Sequence, residues 1–136
     1  MTSDVHYRVI LVDDNELVRK SLRLFVTHII DNMVIVGEAS TGLEAVQLCR
    51  ELRPDLVLMD LVMPLMNGIE ATQRILHDNP STSVLGLTSE AQDSELVQRI
   101  ISAGAIGCIS KQSSLDDLTE ALKLHFVLSP RTARTS

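Results

Sequence analysis

The chain is 136 residues long, the size of one domain, and its 45% hydrophobic and 22% charged residues exclude a disordered or fibrous polymer. Lys plus Arg number 12 against 18 Asp plus Glu, a formal charge of −6 with a pI of about 5.1, which argues against this chain gripping nucleic acid or an anionic membrane by charge. No apolar run approaches the ~18 residues of a spanning helix, and Cys49 and Cys108, too few for a disulfide scaffold, fit buried thiols in a reducing cytoplasm.

Tyr7 to Val12 is a short, β-branched-rich apolar run that predicts a strand, and it ends in Asp13-Asp14-Asn15, residues suited to capping a helix. From Glu16 to about Ile30, Val18, Leu22, Phe25 and Ile29 recur at helical spacing with Arg19, Lys20 and Arg23 between them, which predicts an amphipathic helix. Met33 to Glu38 reads as a strand and Thr41 to Arg53 as a helix. Past Pro54, Asp55 to Met59 reads as a continuous apolar strand. After a loop from Asp60 to Asn67, the pattern gives a helix from Gly68 to about Asp78 and a strand from Ser83 to Leu87. A helix from about Ser94 to Ala103, a strand from Gly107 to Ser110 and a helix from Ser114 to about Phe126 complete it. The polar tail, Ser129 to Ser136, reads as a linker.

Five strands alternating with helices imply parallel pairing in a doubly wound α/β sheet, whose ligand site lies beyond the carboxyl ends of the strands where strand order reverses. The residues at those ends are Asp13 and Asp14, Asp60, Thr88 and Lys111, whereas the second strand, ending Glu38-Ala39-Ser40, offers less. Each has a plain structural reading: Asp14 as a helix cap, Asp60 as an acceptor for loop N–H groups, Thr88 as an ordinary β-branched residue. Lys111 resists such a reading, because the chain has three lysines against nine arginines and this one follows directly on an apolar strand. A point charge at a strand terminus suits phosphate. Two carboxylates ~4 Å apart would repel by about 4 kcal/mol at an effective dielectric of about 20. Such a cluster therefore raises carboxyl pKa values or takes up a cation. With no His or Cys ligand beside it, Mg²⁺ is the economical choice. A carboxylate so neutralised can act as a nucleophile towards a phosphoryl group.

VDDN at 12–15, LMDLVMPLMNGIE at 58–70, LTSE at 87–90 and AGAIGCISK at 103–111 together resemble the receiver domain of bacterial two-component response regulators, over roughly residues 7–126. The resemblance implies a single (βα)5 domain of the flavodoxin or CheY-like kind over residues 1–128. Residues 129–136 would be a tail or the start of a linker to an absent output domain. It implies that Asp60 is the phosphoacceptor, Asp14 a direct Mg²⁺ ligand, Asp13 a ligand through water and the Val62 backbone carbonyl a further ligand. Lys111 would pair with phosphate and Thr88 would be the switch hydroxyl. The implied partners are a sensor histidine kinase and, on phosphorylation, a second copy of the chain. The implied protein is a phosphoryl-accepting switch with self-phosphatase activity more than an enzyme, and transcription control would pass through a DNA-binding part beyond this chain, as in NarL- or LuxR-type regulators.

Two positions depart from the family pattern: Gln112 stands where a proline usually follows the lysine, and Cys108 stands at the aromatic switch position. A non-proline cis bond costs ~2.5–4 kcal/mol, so the Lys111–Gln112 peptide is expected to be trans. An aspartyl-phosphate phosphatase would need an acid at Val62, and a nucleotide-binding domain would need a glycine-rich turn after Val12, which is absent. A phosphorylation-independent interaction module is the remaining alternative. His6, His28, His77 and His125 are read as surface or helix-end residues, and Met59, Met63 and Met66 as core filling.

Overall fold

The structure, a computed structural model, describes residues 6–63, 66–89 and 94–128. In chain order the elements are β1 (Tyr7–Val12), α1 (Glu16–Ile29), β2 (Met33–Ala39), α2 (Gly42–Leu52) and β3 (Leu56–Asp60). They continue with α3 (Gly68–Asp78), β4 (Ser83–Thr88), α4 (Ser94–Ser102), β5 (Gly107–Ser110) and α5 (Leu115–Lys123). The strands form one sheet in the order β2-β1-β3-β4-β5, every pair parallel. This is the five-stranded α/β architecture that the alternating pattern predicts.

Alternation along the strands sorts the core into two layers. Ile10, Val12, Val57, Met59 and Val84 pack with Val46, Ile75 and Ile100 of α2, α3 and α4 on one face. Val9, Leu11, Leu56, Leu58 and Leu87 pack with Phe25 and Val26 of α1 and Leu118 and Leu122 of α5 on the other. β3 is buried at every residue because both its faces are covered, which is why it reads as an unbroken apolar run. Met59, Met63 and Met66 are buried as expected, and all four histidines are exposed. The α1 stripe differs from its reading: Val26 and Ile30 are buried with Phe25, whereas Ile29 faces outward, 41% exposed. Among the described residues no helix is long and apolar enough to cross a membrane.

Local chemistry sets the helix ends. Asn15, Thr41, Asn67 and Ser114 each accept a backbone N–H from the first turn of the helix that follows. Ser114 and Asp117 satisfy one another's backbone N–H in a reciprocal capping box. The sequence pattern carries the last helix to Phe126, but α5 stops at Lys123, because the chain turns so that Phe126 can bury its ring edge-on against Tyr7, centroids 4.8 Å apart. Beyond it, the Val127 N–H donates to Tyr7 Oη at 3.2 Å and the Val127 carbonyl accepts Asn32 Nδ2 at 2.7 Å. Replacing buried Asn32 by Ala removes that bond and is expected to cost about 1 kcal/mol. A fall in the urea midpoint, with faster amide exchange at residues 126–128, is the expected readout; an unchanged midpoint would contradict it.

Candidate functional site

β1 and β3 lie side by side, with Val12 opposite Met59, so the residues that follow, Asp13 and Asp60, emerge together at the carboxyl edge of the sheet. The connections from β1 and β3 leave for opposite faces of the sheet, the reversal at which α/β sheets place their ligands. Asp13 is fully buried. Its N–H donates to the Ala39 carbonyl at 3.1 Å and its Oδ1 accepts the Asn15 N–H at 2.8 Å. Asn15, not Asp14, caps α1, taking the Leu17 and Val18 N–H groups at 2.9 and 3.3 Å. That removes the plain reading of Asp14, whose exposed carboxylate is left to join the cluster: one oxygen each of Asp13, Asp14 and Asp60 lies within 4.8 Å of the others.

Asp60, the last residue of β3, is 2% exposed. Its Oδ1 accepts the Val62 N–H at 3.2 Å, and its Oδ2 is buried with no hydrogen-bond partner among the described residues. Burial, reinforced by the neighbouring Asp13 charge, pushes its carboxyl up to about 6 against the opposing pull of the Val62 N–H and Lys111. Lys111 follows β5, its N–H donating to the Thr88 carbonyl at 3.0 Å. Its Nζ lies 2.8 Å from Asp13 Oδ2 and 3.2 Å from Asp60 Oδ1. Burial alone would lower the ammonium pKa, but the two carboxylates outweigh it and hold the group above its ordinary value. Thr88, 1% exposed, ends β4 opposite Ser110. Every residue that the sequence marks as a site residue thus stands on one rim, with Val62 at its edge, 59% exposed.

Among the described residues, one ammonium against three carboxylates leaves an uncompensated negative charge around a buried Asp60 oxygen that has no hydrogen-bond partner there. Oxygen donors alone, gathered around excess negative charge, fit a hard divalent cation.

Three features escaped the sequence reading. The end of β2 contributes after all: Glu38 pairs with Arg23 and Arg19 of α1, and Arg19 reaches the Asp13 main chain. The signal was a single charge in an otherwise apolar strand facing two arginines one helical turn apart. Cys108 is half-buried where full burial was expected, while Cys49 is buried with its thiol pushed up to about 12 by desolvation. Gly68 packs against the Asp60 main chain. The Lys111–Gln112 peptide is trans, as expected: the described residues contain no cis bond. Glu90, in the LTSE motif, and the tail from 129 lie outside the described residues.

Residues 9–123 match the family model of the response regulator receiver domain. The chain is 37% identical over 131 residues to the response regulator GacA of Pseudomonas viridiflava, covering 93% of this chain and 60% of that protein. It is 41% identical over 116 residues to the response regulator protein VraR of Staphylococcus aureus, covering 85% and 54%. It thus spans little more than half the length of these curated relatives. Among solved structures, a LuxR-family two-component response regulator from Aurantimonas sp. superposes with a TM-score of 0.81 at 34% identity, covering 88% of this chain and 84% of that one. A chain of the CheX-CheY-BeF3-Mg²⁺ complex from Borrelia burgdorferi gives 0.83 at 25% identity, covering 90% and 91%. With the strand order, the strand-end aspartates and the family match in agreement, this chain belongs to the response regulator receiver domain family of two-component signalling.

Proposed function

We propose that this receiver takes a phosphoryl group from a sensor kinase phosphohistidine onto Asp60, in the presence of Mg²⁺, and that the change controls transcription through a part of the protein beyond this chain. The observation that carries the reading is the buried Asp60 carboxylate, with one oxygen unpartnered among the described residues and the other 3.2 Å from the Lys111 ammonium. In the transfer, an Asp60 oxygen forms a bond to phosphorus as the phosphorus–nitrogen bond breaks, its electron pair remaining on the imidazole. Lys111 supplies a point charge to the incoming phosphoryl oxygens, and Thr88 a hydroxyl at the neighbouring strand end. The residues that would hold Mg²⁺ are Asp13, through water, Asp14, Asp60 and the Val62 carbonyl. When bound, the ion offsets the repulsion between these carboxylates and the phosphoryl oxygens. The Borrelia complex, which holds BeF3 and Mg²⁺, supports the reading.

The acidic balance argues that the chain itself does not bind nucleic acid. A cytoplasmic setting, a second copy as partner after phosphorylation and slow self-dephosphorylation complete the proposal. Incubation with Mg²⁺ and a small acyl-phosphate donor tests it. Wild-type protein is expected to gain the mass of one phosphoryl group and to lose that gain with chelator. Asp14→Ala, which removes the solvent-facing carboxylate of the cluster, is expected to slow uptake by about 10-fold or more. Uptake indifferent to Mg²⁺ and to Asp14 would defeat the assignment of the rim.

A further inference from the structure

The main chain at Asp13 is held on both sides. Its N–H is taken by Ala39 on β2, and its carbonyl accepts Nη1 of Arg19 at 2.5 Å. The Arg19 side chain, 17% exposed, turns Nε towards Glu38, 3.4 Å from Oε1. Glu38 is held in turn by Arg23, whose Nε and Nη2 reach its two oxygens at 2.6 and 2.8 Å. The carbonyl that Arg19 grips belongs to the Asp13–Asp14 peptide. Its orientation therefore sets where the Asp14 backbone starts. Asp14 is exposed, and among the described residues no hydrogen bond or ion pair steadies its carboxylate. Its direction is inherited from the main chain.

We infer that Arg19, oriented by Glu38, is a positioning residue that sets the divalent-cation affinity of the aspartate cluster by fixing the Asp13–Asp14 peptide. The inference rests on the reading of Asp13, Asp14 and Asp60 as a Mg²⁺ site. An arginine is suited to the position because its planar fork presents one N–H to the carbonyl while another faces the carboxylate, whereas a lysine offers a single point charge. Fixing the peptide in advance spares the metal the cost of ordering it, the way outer partners of metal ligands ordinarily act.

The test is Mg²⁺ titration of the full chain, followed by calorimetry and by amide shifts, with urea unfolding measured alongside. Arg19→Met is expected to weaken Mg²⁺ binding about 10-fold, Arg19→Lys and Glu38→Gln about 3-fold each. Arg23→Met loses the closer of the two ion pairs with Glu38 yet touches nothing at Asp13, and it is expected to bind Mg²⁺ within about 2-fold of wild type. Should Arg19→Met unfold, the Lys and Gln variants carry the test. Wild-type affinity in Arg19→Lys and Glu38→Gln, or in a folded Arg19→Met, overturns the inference. So does an equal loss in Arg23→Met, which would mark the effect as general loosening. Failure of the underlying reading looks different: wild-type protein itself would not bind Mg²⁺, or Asp14→Ala would bind it unchanged.

Discussion

Asp60→Asn is expected to take up no phosphoryl group from any donor and, at the same time, to make the metal-free protein more stable. The first effect follows from removing the only nucleophilic oxygen that the proposed chemistry uses. The second follows from burial: the Asp60 carboxyl stands at about 6 because it is cut off from water beside the Asp13 carboxylate. Its folded pKa thus lies above the ~3.9 of an unfolded aspartate, so between those values the folded state holds the proton more tightly. Stability contributed by this group is complete below about pH 4, declines as pH rises towards 6, and is lowest above it. An uncharged Asn escapes that decline. A gain on the order of 1–3 kcal/mol is expected at pH 7, vanishing near pH 4 and shrinking when Mg²⁺ stabilises the wild type. Paired urea titrations at pH 4 and pH 7, with and without Mg²⁺, read it directly. A variant less stable than wild type at pH 7 would mean that the cluster carries no electrostatic strain.

Gly68→Ala carries the second large effect. A Cβ built on Gly68 would lie 2.1 Å from the Asp60 carbonyl oxygen and 2.8 Å from Leu61 Cα, while the Gly68 N–H donates to the Leu61 carbonyl at 3.0 Å. The obstacle is main chain on both counts, so no side-chain rotation can relieve it. Either the first turn of α3 moves away or the end of β3 does, and Asp60 is that end. Overpacking of this kind costs about 1–3 kcal/mol and sometimes more, and with backbone as the obstacle the upper end is expected here. Lowered urea stability should therefore coincide with weaker Mg²⁺ binding. Stability within about 0.5 kcal/mol of wild type, as for an ordinary surface change, would show that the two backbones are not pressed together. Asn67 caps α3. The reason that the next residue must lack a side chain lies seven and eight residues earlier, in Leu61 and Asp60.

Much of this protein was legible in its sequence because much of it is coded locally. Apolar alternation over a few residues distinguishes a strand from a helix, and β1, α3 and β5 have the bounds that their patterns predict. Asn15, Ser114 and Pro54 mark helix boundaries within a residue or two of themselves. The carboxylates at the strand ends were identified as a group because parallel α/β connectivity brings the carboxyl ends of all strands to one edge, whichever strands prove adjacent.

Contacts across the chain decided the rest. Asp13 and Asp14 are chemically identical neighbours, yet Ala39 of β2 and Lys111 close over the first while the second faces solvent. Asp60 owes its raised pKa to desolvation and to Asp13, 47 positions away, and no local pattern reports either. Glu38 joined the site through Arg19 of the preceding helix, α5 was cut short by a ring seeking Tyr7, and Gly68 was required by a carbonyl already placed. The sequence by itself determined which elements form and which chemical groups arrive at the rim. Burial, charge proximity and steric contact depend on segments distant along the chain, so tertiary structure alone decided which carboxylate is strained, which is free to face an ion, and what holds each in place.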